Sequence, residues 1–229
     1  MIFIGLDDTD NLQSRGTGHL ARHIAVELSR EFPVSGVIRH QLSKDPRVPC
    51  TKNNSSAAIC LDTESEDGLA AEIFARVRAM MLADFQPGSD PGLCVASAVP
   101  QPVTDFGQRT QAEFVSQQQA RDLASRWGLI LEGLGGTQDG VIGALAAVGL
   151  AACGEDGRYV QVGDLRDLSG LHTISEVLAA GVAGVRTLDG QAVSEGLVLT
   201  DKLRPARRGS QPVAVVNWNG DYWLPLKLD

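Results

Sequence analysis

An α/β layer followed by a strand-rich α+β remainder is the fold class that this sequence predicts. Apolar strand-like runs at 2–6, 34–42, 56–61 and 93–99 alternate with amphipathic helical spacing at 17–32 and 67–85, which is the pattern of a layered first half. Short strands separated by turns at 159–162, 196–199, 213–218 and 222–226 mark the other half, and Asn219-Gly220 is a hairpin signal between the last two.

The first run, Ile2-Phe3-Ile4-Gly5-Leu6, ends in the acidic tip Asp7-Asp8-Thr9-Asp10-Asn11. Leu20, Ile24 and Leu28 recur at four-residue spacing behind it, the apolar stripe of a helix that Pro33 stops. A polar loop at 43–54 separates the next two strands. Leu69, Ile73, Val77 and Met81 line one face of the second helix, and the strand at 93–99 is bracketed by Pro91 and Pro100. A helix at 116–127 and the glycine cluster at 133–140 precede a small-residue helix at 141–152. Pro, Gln and Thr accumulate over 100–116, which places a boundary there and divides the chain into 1–115 and 116–229.

At 229 residues, with 43% hydrophobic and 21% charged residues, the chain can bury a core without disulfides, and the composition excludes a disordered protein. A net charge of -8 argues against a chain whose main task is to neutralise a phosphate backbone. Arg204, Arg207 and Arg208 form one local basic cluster, open between a binding patch and a solvated loop. Cys50, Cys60, Cys94 and Cys153 lie far apart, without the close pairs of a metal site, and read as free thiols of a reducing compartment. No signal peptide and no stretch long enough to span a bilayer is evident, so a cytoplasmic protein with no membrane partner is expected.

The acidic tip is the first clue to chemistry. Three carboxylates at the end of a strand repel one another unless a cation sits among them, and hard oxygen ligands suit Mg²⁺. Strand alternation would put Asp8 and Asp10 on one side and Asp7 on the other; a helix cap with solvated acids is the plainer alternative. The chain continues into Arg15-Gly16-Thr17-Gly18-His19, where turn amides and a helix start would attract phosphate. Asp7, Asp8 and Asp10 are therefore candidate metal ligands, and Thr9, Gly16, Thr17 and Gly18 candidate nucleotide contacts. Gly140, at the end of the glycine cluster, is open between phosphate binding and close helix packing, which Gly143, Ala144, Ala146 and Ala147 suggest directly. His19 and His23, one helical turn apart, leave three readings: metal ligation, phosphate contact or phosphoacceptor at His19, or solvated histidines. His40 and His172 have no partner legible in the sequence.

Four segments in order carry a family resemblance: the Asp-Asp-Thr-Asp tip, the loop Pro46-Arg47-Val48-Pro49-Cys50-Thr51-Lys52-Asn53-Asn54, the turn Asp90-Pro91-Gly92, and the helix start Gly140-Val141-Ile142-Gly143-Ala144-Leu145-Ala146-Ala147. Together they resemble the archaeal tRNA(Ile2) 2-agmatinylcytidine synthetases. The resemblance implies a kinase-like α/β domain at 1–115 and a ferredoxin-like α+β domain at 116–229. It also implies an ATP-dependent enzyme that phosphorylates a cytosine carbonyl oxygen, the phosphate then being displaced by agmatine. Under it, Asp7, Asp8 and Asp10 hold Mg²⁺ and the triphosphate, Lys52 is the loop cation, and Asn54 belongs to the same nucleotide site. The family carries a Thr pair after the tip, one Thr being an autophosphorylation site. Here Thr17 lies near that place and His19 takes approximately the same position.

Family members continue into an OB-fold and a zinc ribbon that help hold tRNA, whereas this sequence stops at Asp229 without Cys pairs. The expectation is therefore a small-molecule acceptor, with tRNA disfavoured. Two further classes stand beside this one. Asp8-Thr9-Asp10 with Gly163-Asp164-Leu165-Arg166-Asp167 resembles a haloacid-dehalogenase-type phosphatase, with Asp8 as nucleophile and Asp10 as general acid. A non-catalytic nucleotide-sensing module would need the same acids and glycines.

Overall fold

The computed structural model describes residues 1–48, 50, 53–64 and 66–228. In chain order the elements are β1 Ile2–Asp7, α1 Thr17–Leu28, β2 Val34–Gln41, β3 Ser55–Leu61, α2 Leu69–Ala83, β4 Gly92–Ala96, α3 Gln101–Ala112, α4 Gln117–Arg126, β5 Ile130–Gly133 and α5 Gly140–Cys153. There follow β6 Arg158–Gln161, a 3-10 turn at Leu165–Asp167, β7 Leu171–Thr173, α6 Ile174–Ala179, β8 Gly184–Thr187, β9 Leu197–Leu199, β10 Ala206–Arg208, β11 Gln211–Trp218 and β12 Trp223–Pro225.

Among the described residues the strands form one mixed sheet in the order β5-β4-β1-β3-β2-β6-β10-β11-β12-β9-β7, with β8 pairing β11. Strand alternation sorts the first half into two faces. Ile2, Ile4 and Leu6 point with Ala57, Ile59 and Leu61 toward α1 and α2. Cys94 and Ala96 point the other way, toward α3, α4 and α5. The second half has its own core around Tyr159, Val177, Val198, Ala214 and Val216, which meets α5 at Ala147 and Ala151.

The β-α-β-β-α-β order with strands β4-β1-β3-β2, all antiparallel, is the ferredoxin-like arrangement, and it occupies residues 2–96. This corrects the expectation that a ferredoxin-like unit fills 116–229. Residues after 116 first supply α4, β5 and α5, which complete the layer on the opposite face of the N-terminal strands, and only then the strand-rich extension. Most of the stretch 100–116, in which a boundary was expected, is the helix α3.

Small residues let α5 lie close to its neighbours. A Cβ at Gly5 would stand 2.0 Å from the Ala144 carbonyl oxygen, one at Gly92 would stand 2.1 Å from the Gly140 backbone, and one at Gly149 would stand 2.2 Å from the Val103 carbonyl. The Gly/Ala-rich sequence of this helix therefore permits contact with β1, β4 and α3 at backbone distance. No helix among the described residues is long and apolar enough to cross a membrane.

Candidate functional site

The acidic tip is fixed at both ends. β1 stops at Asp7, and Asp8 turns into the left-handed region at φ 49°, so the strand alternation expected to align Asp8 with Asp10 ends before Asp8. Short polar side chains then hold the connection to α1. The Asn11 Oδ1 accepts the backbone N–H groups of Gln13 and Ser14, both at 2.9 Å. The Thr17 hydroxyl, at the first position of α1, donates to Asp10 Oδ1 at 3.0 Å and accepts from the Thr9 hydroxyl at 3.1 Å. Thr9 and Thr17 are both buried, so they lock the tip onto the helix start. Gly16, which precedes α1, places no side chain over the first N–H groups of that helix.

Asp7, Asp8 and Asp10 open into a cavity of about 550 Å³, a volume suited to a nucleotide. Ser43, Asn53, Asn54, Thr110, Gln117, Asp139 and Gly140 supply further polar lining, and Leu42, Val115 and Ile142 an apolar wall. At the rim, the Arg47 guanidinium lies 4.9 Å over the ring of Phe114, which is 49% exposed and offers a flat apolar face. Arg47 is held there by two bonds to Asp45, 2.9 and 2.6 Å. A second chamber of about 220 Å³ adjoins the first and shares Asp10, Thr17, Asn53 and Ser55 with it. Gly16, Gly18, Arg39 and Ser56 line its far side.

Like charges dominate this corner. Burial, then the charges of Asp8 and Asp10, push the Asp7 carboxyl up to about 8, against the relief of a bond from the Asp8 backbone. Asp8 is raised to about 6 by burial and by Asp90, Asp10 and Asp139. The Asp7 carboxylate is pressed against the first turn of α5, where a Cβ on Gly143 would lie 1.9 Å from its Oδ2. Hard oxygens raised by mutual repulsion suit a divalent cation. Among the described residues no group of three or more His, Cys, Asp or Glu side chains is placed to hold a metal ion by itself.

The structure thus brings together Asp7, Asp8, Asp10, Thr17, Asn54 and Gly140 around one cavity, with Gly16 and Gly18 beside it and Thr9 buried behind. It does not bring His19, which lines neither chamber and whose Nε2 accepts from Arg15 Nη1 at 2.7 Å. Lys52 lies outside the described residues. Asp164 and Asp167, the distal acids of the phosphatase alternative, are exposed and line neither chamber. Asp90 and Asp139 were not singled out as site residues. Asp90 accepts the Thr137 N–H at 2.6 Å and Asp139 accepts Gln117 Nε2 at 2.7 Å, so the glycine cluster brings both acids to Asp8.

Two other polar groups differ from their sequence reading. His40 has a partner: its Nδ1 lies 2.7 Å from Asp156 Oδ1 in the interior. Arg207 is buried rather than part of a solvated loop, its Nη1 donating to the Tyr159 hydroxyl at 2.6 Å and its Nε to the Ala151 carbonyl at 3.1 Å.

No protein-family model matches the chain. The tRNA(Ile2) 2-agmatinylcytidine synthetase TiaS of Cenarchaeum symbiosum (strain A) is 28% identical over 151 residues, which are 65% of this chain and 33% of that protein. The chain is similar to the tRNA(Ile2) 2-agmatinylcytidine synthetases. It spans about a third of the length of this curated relative. Among solved structures, TiaS in complex with tRNA(Ile2) and ATP superimposes with a TM-score of 0.55 at 22% identity, over 65% of this chain and 36% of that one. A tRNA fluorescent labeling enzyme matches with a TM-score of 0.56 at 20% identity, over 65% and 35%. These likenesses establish a mixed α/β fold similar to part of TiaS. The expectation of a small-molecule acceptor with tRNA disfavoured is corrected by them, because the relative is named for tRNA(Ile2) and a neighbouring structure holds it. The expectation rested on the OB-fold and zinc ribbon that the sequence lacks and on net charge, which sums the whole surface and is blind to where cations gather.

Proposed function

We propose that the chain performs the ATP-using step of a ligase acting on a cytidine of tRNA, with Mg²⁺ and ATP as cofactors and an amine such as agmatine as second substrate. The observation that supports it is the convergence of Asp7, Asp8 and Asp10 with the start of α1 and with Asn54 and Gly140 around one nucleotide-sized cavity. Mg²⁺, when bound, neutralises phosphate oxygens. Asp7 and Asp8 would hold it, since a cation between them would offset the repulsion that helps to raise their carboxyls.

The chain's own groups then bind and orient. Thr17 fixes Asp10 through its hydroxyl, and the N–H groups at the start of α1, which no side chain caps, would receive phosphate oxygens. Phe114 with Arg47 provides a stacking face at the rim for a base. The wall shared by the two chambers allows nucleotide and acceptor to approach from opposite sides of Asp10, so that positioning and charge neutralisation supply most of the rate, as in other phosphoryl transfers. In the balanced reaction the γ-phosphoryl bond to ADP breaks and a bond to the cytosine carbonyl oxygen forms. The amine then attacks the activated carbon, loses a proton and expels phosphate. We assign this work to a kinase-like use of the N-terminal layer, with α4 and α5 closing the cavity.

The test is nucleotide analysis after incubation with Mg-ATP, unmodified tRNA transcript and agmatine. Turnover that requires the transcript, yields modified cytidine and vanishes in Asp8→Asn supports the reading. Turnover indifferent to RNA, or unchanged in Asp8→Asn, overturns it.

A further inference from the structure

A chain with net charge -8 nevertheless gathers arginines from four separate segments beside β6. Arg158 opens β6 and stands opposite Arg39 of β2 in the strand pair. Arg166 reaches back from the 3-10 turn, its Nη1 donating to the Val160 carbonyl of β6 at 3.1 Å. Arg204 immediately precedes Pro205, whose carbonyl accepts the Tyr159 N–H at 2.7 Å, so it flanks the same strand. Arg22 of α1 completes the arc, its Nε donating to the Gly18 carbonyl at 3.2 Å, and α1 packs against β6.

No acid among the described residues pairs with three of these arginines. Among the described residues Arg22, Arg166 and Arg204 bond only to backbone carbonyls and enter no ion pair. Asp164 and Asp167 flank Arg166 along the chain but neither pairs with it. Burial, then the neighbouring guanidiniums, lower the proton affinity of Arg22 and Arg204. Holding like charges together costs free energy, which a polyanion would return. One end of the arc touches the catalytic corner, since Gly18 and Arg39 line the smaller chamber that Asp10 shares.

We infer that Arg22, Arg158, Arg166 and Arg204 seat the phosphodiester backbone of an RNA on either side of the nucleotide presented to the smaller chamber. The inference rests on the proposed function for its partner and adds the surface that holds it. Guanidiniums suit this task because their planar forks bind phosphate oxygens in pairs. Spacing over four segments suits successive phosphates of a strand better than one compact anion. Contacts of this kind position the RNA and carry no sequence information, which leaves base selection to the chamber.

The experiment is filter binding of an unmodified tRNA transcript, without ATP, over a salt series from about 50 to 200 mM. The variant is Arg166→Gln with Arg204→Gln, and the exposed single change Arg166→Glu serves as a second variant that the fold tolerates. Each lost phosphate contact should lower the slope of log K against log salt by about 0.7 to 0.9, so the double variant should lose about 1.5 from the slope. Arg166→Glu should weaken binding more than the neutral change at that position. ATP binding measured without RNA should not move. Asp8→Asn should keep the full slope while losing turnover, which separates failure of the surface from failure of the ATP site. A double variant with the wild-type slope overturns the assignment. So does inorganic triphosphate competing as well as RNA at equal phosphate concentration, since the arc would then be a site for free phosphates.

Discussion

Asp7 at the end of β1 and His40 near the end of β2 are both titratable groups enclosed by the fold, yet their surroundings are opposite. Burial lowers the His40 pKa, and Asp156, held in turn by Gln111 Nε2 at 2.9 Å, opposes that shift. The imidazole meets a carboxylate built to receive it. Asp7 meets two more carboxylates and the start of a helix, and its pKa rises to about 8. Paired through Nδ1 with Asp156, and with its buried Nε2 left without a hydrogen-bond partner among the described residues, His40 is a fastening between α3, β2 and the segment after α5. Carboxylates raised by burial and by one another's charge make a place suited to a cation.

The largest expected effect tests that contrast at the acid cluster. Asp8→Asn should abolish the strengthening of ATP binding by Mg²⁺, a loss of about a hundredfold or more when a ligand of the metal is removed. Calorimetry with and without Mg²⁺ measures it, and an unchanged Mg²⁺ dependence would remove Asp8 from the site. Gly143→Ala sharpens the point through packing. Its Cβ would fall 1.9 Å from Asp7 Oδ2, so the change should displace that carboxylate, reduce the Mg²⁺ effect and cost about 1–3 kcal/mol of stability.

At the other pole, Asp156→Ala leaves the buried imidazole without its partner. It should lower unfolding stability by about 1–3 kcal/mol in denaturant titration, while ATP affinity per folded molecule stays the same. Loss of ATP binding without loss of stability would reverse the roles assigned to the two corners.

The smallest effect is in pH. Asp7 and Asp8 have folded values raised to about 8 and about 6 from an ordinary 3.8, so the folded chain holds more protons than the unfolded one in between. Their contribution is complete below the unfolded value and is lost as pH rises through the folded ones. His40 is lowered from 6.5, so its contribution runs the other way and is lost as pH falls below 6.5. Between about 6.5 and 8 the metal-free protein should therefore lose stability as pH rises. Asp7→Asn should flatten that slope and stabilise the protein at pH 8 by about 1 kcal/mol, or about 2–4 °C in Tm for a chain of this length. Thermal melts across this range decide it, and a slope unchanged in Asp7→Asn would place the strain elsewhere.

What the sequence makes legible here is local. The acids follow a strand with period two, Leu20, Ile24 and Leu28 mark α1 with period near four, and Asn219 Oδ1 accepts the Asp221 and Tyr222 N–H groups in the expected hairpin. Partners far apart in the chain stay hidden: His40 and Asp156 are 116 positions apart, and Arg207 finds Tyr159 48 positions away. α3 was concealed for another reason. Its buried face is built from Val103, Thr104, Phe106, Gly107 and Thr110, and the threonines and glycine there give little apolar periodicity. Thr110 conceals its hydroxyl by donating to the Gly107 carbonyl at 2.5 Å. Asp90 and Asp139 reach Asp8 only because the glycine cluster folds back, which no spacing rule foretells.

The pairing of β2 on both sides, with β3 and with β6, also decides how the chain can be divided. Cutting after Cys153 would keep the acids and every residue that lines either chamber, but it would strip β6 from β2 and leave an eight-residue strand with open hydrogen-bonding groups. Such an edge is a template on which further copies can add. The natural dissecting point, just past the residues that line the cavity, is thus the one most prone to yield filaments or precipitate, and a shortened version for binding studies would need a charged or proline-bearing β2 to remain dispersed.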